Sequence, residues 1–146
     1  MRDALLTTDV IRTDVVADDR TDAVRAAGDL LVTAGVCVPG YVQAMVDALD
    51  QLGPYCVIAP GVALPHATPD DGVLRTGMSL VTLREPVVFG HATNDPVRLV
   101  VALAPQDKQA HLAALQDLAS RLGDPGAVDR LAAAPTPQAV LDLLAD

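Results

Sequence analysis

The run Val97-Arg-Leu-Val-Val-Ala-Leu103 limits what this chain can become. Its apolar residues hardly alternate with polar ones, so an extended conformation leaves no face for water and the run predicts a strand buried on both sides. Such a strand lies inside a sheet with helices packed above and below. The rest of the chain supplies matching parts. Val10 to Ala17 reads as a strand, and Asp18-Asp-Arg-Thr21 leads into a helix from about Asp22 whose apolar face is Ala23, Ala26, Ala27, Leu30 and Leu31. Gly35 ends that helix. Pro39-Gly40 opens a second one, with Val42, Met45, Val46 and Leu49 at helical spacing until Gly53-Pro54 stops it. Cys56 to Ala59 and Gly77 to Leu83 read as further strands, Pro86 to Phe89 as an extended continuation, and Gly90 to Pro96 as a turn. Behind a cap at Asp107, His111, Leu115, Leu118 and Leu122 share one helical face until Gly123-Asp-Pro125. Shorter helices follow over Ala127 to Leu131 and Pro137 to Leu144. The order β-α-α-β-β-β-α-α-α predicts an α/β fold, a mixed parallel/antiparallel sheet flanked by helices in a single domain over 1–146.

Composition narrows the function classes. Hydrophobic residues make up 51% of the chain, yet Phe89, Tyr41 and Tyr55 are its only aromatics, so the core is built from Leu, Val and Ala. A net charge of −9 and a single lysine, Lys108, exclude nucleic acid and anionic membrane surfaces as partners, since both demand clustered cations. Phosphate is not excluded, because backbone amides can bind it without net positive charge. Cys37 and Cys56 form no CxxC pair, so neither a zinc knuckle nor a disulfide framework is signalled, and a reducing cytoplasm is the expected home. The first nine residues lack an apolar signal core, and the longest apolar run, Leu99 to Pro105, is too short to span a bilayer; a soluble protein is expected.

Chemistry concentrates on the segment from Tyr55 to Gly72. An apolar strand is broken at Pro60-Gly61, and Pro65 and Pro69 then bracket His66, holding the imidazole in a stiff loop. His111 opens the helix that follows the Val97 to Leu103 strand. If that strand runs parallel to Cys56–Ala59, both imidazoles meet at one edge of the sheet, where open α/β folds bind ligands. His91 falls at the opposite edge as a solvated turn residue, Asn94-Asp95-Pro96 is turn chemistry, and both cysteines read as inert core thiols. The chain carries no GxSxG, Walker loop, GxGxxG or HExxH, so no metal site and no cofactor are expected. What remains is a held imidazole, a good nucleophile towards phosphorus when neutral. A phosphohistidine carrier needs one ring nitrogen for the phosphoryl group, a partner for the other, and donors for the phosphate oxygens. His111 is a candidate donor.

On these residues the chain resembles the enzyme IIA components of the bacterial phosphoenolpyruvate-dependent sugar phosphotransferase system, within the mannitol/fructose-type superfamily. The shared signature is Gly61-Val-Ala-Leu-Pro-His66 with a second histidine, here His111, opening a later helix. Gly53-Pro-Tyr-Cys-Val-Ile-Ala-Pro-Gly61, Tyr41-Val-Gln-Ala44 and Asn94-Asp-Pro-Val97 bring it nearest the ascorbate-specific group. The resemblance implies a cytoplasmic phosphocarrier that takes a phosphoryl group from phospho-HPr on Nε2 of His66 and passes it to a cysteine of a cognate enzyme IIB. Uptake of ascorbate or a related sugar through the membrane enzyme IIC would be driven downstream. The chain would touch proteins, not sugar, and self-association through a sheet edge or helix face is expected of such carriers. A regulatory module of the nitrogen type, using the same histidine as a phosphorylation-dependent switch, is the alternative. Two departures stand out. Mannitol and fructose members carry an arginine upstream of the histidine, where this chain reads Asp47-Ala-Leu-Asp-Gln51, and ascorbate-type members commonly carry one two residues after it, at Thr68 here. Phosphate binding is therefore expected to fall to backbone amides, Thr68 and His111, or to an arginine of the partner.

Overall fold

The run that opens the sequence argument is a central strand in the computed structural model, which describes residues 6–124 and 126–144. Five strands, β1 (Ile11–Val15), β2 (Val57–Ala59), β3 (Val62–Ala63), β4 (Gly77–Val87) and β5 (Val97–Ala104), form one sheet in the order β1-β4-β5-β3-β2. β1 runs parallel to β4 and β3 parallel to β5, while β4–β5 and β2–β3 are antiparallel, so the sheet is mixed as expected. Side chains of β5 alternate between the faces. Val100, Ala102 and Ala104 enter the core beneath α1 (Arg20–Thr33) and α2 (Pro39–Leu52). Leu99, Val101 and Leu103 enter the core shared with α3 (Lys108–Leu122), α4 (Ala127–Ala132) and α5 (Pro137–Leu144).

The three longest helices start where the sequence offers a capping aspartate or a proline. The Asp19 carboxylate accepts the Asp22 amide at 2.9 Å, which starts α1 at Arg20, two residues before the position read from its apolar face. Pro39 stands in the first turn of α2, and the Asp107 carboxylate accepts the Ala110 amide at 2.8 Å to start α3. At the far end of α2, Gly53 has φ 77° and its amide returns to the Leu49 carbonyl, a conformation in which a β-carbon would be strained. The Pro125 end of the α3 stop signal and the first five residues of the N-terminal segment lie outside the described residues. No helix among the described residues is long and apolar enough to cross a membrane.

One strand departs from the sequence reading, and it matters for the site. Val62 and Ala63 were expected in the His66 loop, but they pair with Leu99 and Val100 as β3. A two-residue strand carries no periodicity, and this one exists only because β5 offers a free edge to pair with. Since β2 is antiparallel to β3, Cys56–Ala59 does not run parallel to Val97–Leu103. The parallel partner is β3, so the loop carrying His66 still leaves the sheet at the C-terminal end of β5. Pro86 and Val87, expected as an extended continuation, do continue β4, across a register shift between Thr82 and Val87.

Helices α1 and α2 approach closely at Gly28, where a β-carbon would stand 2.7 Å from one methyl of Val42 and 2.8 Å from the other. Val42 is β-branched and buried, so it has no free rotamer to turn into. Gly28→Val should therefore overpack this contact and lower stability by about 1–3 kcal/mol. Urea unfolding monitored by circular dichroism checks this, with the midpoint falling and the slope unchanged.

Candidate active site

The backbone around His66 is tied on every side. After β3, the Leu64 amide donates to the Cys56 carbonyl at 2.7 Å, and the Leu103 amide donates to the Pro65 carbonyl at 3.0 Å. Parallel pairing with β5 thus continues up to the residue before the histidine. Two tyrosines secure the next peptide units. The Tyr55 hydroxyl donates to the His66 carbonyl at 2.5 Å and accepts the His66 amide at 3.3 Å. The Tyr41 hydroxyl accepts the Ala67 amide at 3.0 Å and donates to the Leu103 carbonyl at 2.6 Å. Tyr41 is fully buried, and that burial drives its phenol far above the ordinary range, so it remains a neutral donor. Burial likewise raises the Tyr55 phenol.

These contacts leave the ring with one defined arrangement. Nδ1 of His66 lies 2.9 Å from the Leu64 carbonyl oxygen. A carbonyl has no proton to give, so Nδ1 carries the hydrogen and donates it, and the lone pair resides on Nε2. The sequence left the Nδ1 partner unidentified; it is a backbone group two residues away. Tyr55 packs edge-on against the ring, with centroids 5.3 Å apart at 70°. On another side stands His111, its ring centroid 4.8 Å from that of His66 at a tilt of 53°. Desolvation first, and the charge of His66 second, hold His111 below the ordinary imidazole value, so at neutral pH it is an uncharged ring with one N–H to donate.

His66 opens into a cleft of about 480 Å³, lined on the α2 side by Ala44, Asp47, Ala48, Gln51 and Leu52 and on the loop side by Tyr55, Ala67, Thr68 and Asp71. None of the lining residues is basic. The position where an upstream arginine was missed contributes carboxylates instead: Asp47 accepts Nε2 of Gln43 at 2.9 Å, and Gln43 in turn accepts Arg25 at 2.7 Å. Asp50 faces Arg20 at 3.6 Å. Thr68 sits at the cleft, but its hydroxyl donates to Asp71 at 2.8 Å while its amide donates to the same oxygen at 3.0 Å. Binding phosphate through Thr68 therefore requires that hydroxyl to turn away from Asp71.

The remaining candidates lie elsewhere. His91 is at the opposite edge, and its Nδ1 accepts the amides of Thr93 and Asn94 at 3.2 and 3.0 Å, which makes it a fixed part of the turn. The Asp95 carboxylate gathers the amides of Phe89, Gly90 and His91 at 3.1, 2.6 and 3.0 Å, a turn role as expected. Cys37 and Cys56 are buried, and burial pushes their thiols up to about 11 and about 12, which keeps both protonated and unreactive. A larger cleft of about 640 Å³ between Val16–Asp19 and Arg84–Val88 holds no histidine or cysteine and belongs to the edge away from His66. What the sequence reading missed is the pair of phenols. A signal was available, since both tyrosines of this aromatic-poor chain turn out to serve a single loop.

Comparison with known proteins agrees with this geometry. Residues 4–146 match the family described as phosphoenolpyruvate-dependent sugar phosphotransferase system, EIIA 2. The ascorbate-specific PTS system EIIA components of Salmonella choleraesuis and of Escherichia coli K12 are each 43% identical over 145 residues, covering 99% of this chain and 94% of theirs. The crystal structure of IIA mannitol from Escherichia coli superposes with a TM-score of 0.85 at 34% identity, covering 96% of this chain and 99% of that one. The same enzyme in complex with phosphorylated enzyme IIB mannitol superposes with a TM-score of 0.84 at 33% identity, covering 95% of this chain and 96% of that one. With the mixed sheet, the two histidines at one edge and a match across almost its whole length, the chain belongs to the EIIA 2 family of the phosphoenolpyruvate-dependent sugar phosphotransferase system.

Proposed function

We propose that this protein is a cytoplasmic phosphocarrier in which Nε2 of His66 takes a phosphoryl group from phospho-HPr and yields it to a cysteine of an enzyme IIB, serving uptake of ascorbate or a related sugar. The observation that carries the reading is the hydrogen bond from Nδ1 to the Leu64 carbonyl, which leaves the nucleophilic lone pair on the other nitrogen, beside the cleft. Attack by Nε2 forms the new N–P bond as the bond to the donor's nitrogen breaks. Nδ1 keeps its proton, so the ring becomes cationic while the Leu64 carbonyl goes on accepting. That cationic ring makes the phosphoryl group easy to pass on. His111, held 4.8 Å away, donates to the phosphoryl oxygens as charge moves onto them. The sugar is suggested by the 43% identity to ascorbate-specific relatives, and the enzyme IIB partner by the mannitol complex.

Incubation with phosphoenolpyruvate, enzyme I and HPr, followed by intact-mass measurement at neutral and acidic pH, tests the assignment. The expected result is one acid-labile phosphoryl group on the wild type and none on His66→Ala. An unmodified wild type in the presence of active HPr, or a labelled His66→Ala, sinks it. The tyrosine clamp gives a second expectation. Tyr55→Phe keeps the ring that packs on His66 but removes the hydroxyl that bridges its carbonyl and amide. Transfer from phospho-HPr should slow about tenfold as the imidazole loses its fixed aim, with overall stability lowered by about 1 kcal/mol. Rapid-quench kinetics alongside urea unfolding separate these two effects.

A further inference from the structure

The phosphoryl group enters a cleft with no built-in counter-charge. Among the lining residues the ionised side chains are Asp47 and Asp71, and the nearby Arg20 faces Asp50 at 3.6 Å. A phosphoryl dianion on Nε2 is only half balanced by the ring that carries it, because Nδ1 contributes one positive charge against two negative ones. One group at the site can change its own charge to meet the difference. We propose that His111 is the counter-charge: it takes up a proton from solvent as His66 becomes phosphorylated and returns it when the group leaves. The reaction balances as one N–P bond broken in the donor, one formed at Nε2, and one proton added from water to the His111 imidazole.

The setting of His111 favours such a change. Half-burial and the neighbouring ring keep it neutral in the unloaded protein, so it does not hold a stray anion at the site before the phosphoryl group arrives. His66, from the loop after β3, faces His111, and Tyr55 packs edge-on against the His66 ring as a neutral phenol. The cleft into which His66 opens holds Asp47 from α2 and Asp71 from the Pro69–Asp71 turn, whereas the influences on His111 itself are burial and the His66 ring. On its own helix the first-turn neighbours are Asp107, whose carboxylate is bonded to the Ala110 amide, and the exposed Lys108. With ring centroids 4.8 Å apart, net negative charge arriving on His66 raises the proton affinity of His111 by about one to two pKa units in a partly solvated setting.

The sign of the linkage is fixed. The loaded state has the higher His111 pKa and so binds more protons, which means loading is favoured as pH falls between the loaded midpoint and the unloaded one, itself below 6.5. Above both midpoints the coupling vanishes.

This inference rests on the phosphocarrier reading, and its test is arranged so that the two fail separately. The full chain, labelled with ¹⁵N-histidine, is loaded with phosphoramidate, a small-molecule phosphoryl donor, and the His111 ring is titrated by NMR before and after. The midpoint should rise by about one pH unit or more on loading and fall back once the phosphoryl group is hydrolysed. A midpoint that stays put or falls overturns the proposal. With phospho-HPr as donor, the loaded-to-unloaded ratio should gain up to about tenfold per pH unit of acidification relative to His111→Gln, a neutral donor. His111→Arg, which is permanently charged, should lack that gain, and a pH dependence identical in wild type and His111→Gln overturns the proposal as well. Loading by phosphoramidate but not by phospho-HPr would refute the carrier reading, while the NMR titration would still judge His111.

Discussion

The backbone of Leu103 holds the site together. Its amide reaches the Pro65 carbonyl and its carbonyl receives the Tyr41 hydroxyl, whose oxygen accepts the Ala67 amide in turn. Through one residue near the end of an almost wholly buried strand, the middle of the sheet is joined to the backbone on both sides of His66. Such positions are the last to open in a folded protein, because unpairing them exposes the core. The proline bracket read from the sequence stiffens the loop, but stiffness does not aim a ring. Aim comes from the bonds to β5, the two phenols and the Leu64 carbonyl.

Burial and charge are divided along the same line. Beneath the histidine, Tyr41, Cys56 and Leu64 are buried, so the bond from the Tyr41 hydroxyl to the Leu103 carbonyl is sheltered from water, while the half-buried Tyr55 lines the cleft. Above it the cleft is open and edged by carboxylates. In an acidic chain these carboxylates favour a basic partner surface over a free anion. The unpaired buried polar side chains that would betray a missing ligand are lacking among the described residues.

The fold class was legible because its main signals are long. An unbroken apolar strand, two helices with regular apolar faces and three aspartate or proline starts each repeat over several residues. His66 was legible for a different reason, since a histidine between two prolines after a strand break is an unusual local pattern. Less visible was anything that depends on a partner distant in sequence. β3 is two residues long and is defined only by Leu99 and Val100, and the tyrosine bonds span eleven and twenty-six positions. Thr68 shows the limit from the other side. Its place beside His66 was right, yet the proton assigned to phosphate is already given to Asp71, three residues on. Sequence puts a hydroxyl near a site but does not say which acceptor wins it.

A carrier must accept and surrender the same group at similar ease, and this sets a bound on how well its site can fit the loaded state. A fixed arginine against the phosphoryl oxygens would form charge-assisted, bidentate bonds about twice as strong as neutral ones, and every contact of that kind deepens the loaded state as well as the transition state. An imidazole that gains its charge only on loading binds through a single donor and can lose the proton again as the group departs. Under the proposed reading, the same reasoning accounts for a backbone carbonyl at Nδ1. A carboxylate there would neutralise the cationic phosphohistidine ring and make it a poorer leaving group, whereas the Leu64 carbonyl fixes the tautomer and leaves the positive charge on the ring. Nδ1 of His66 is thus held by a neutral partner, and under the proposed reading the site's charge is free to follow the phosphoryl group.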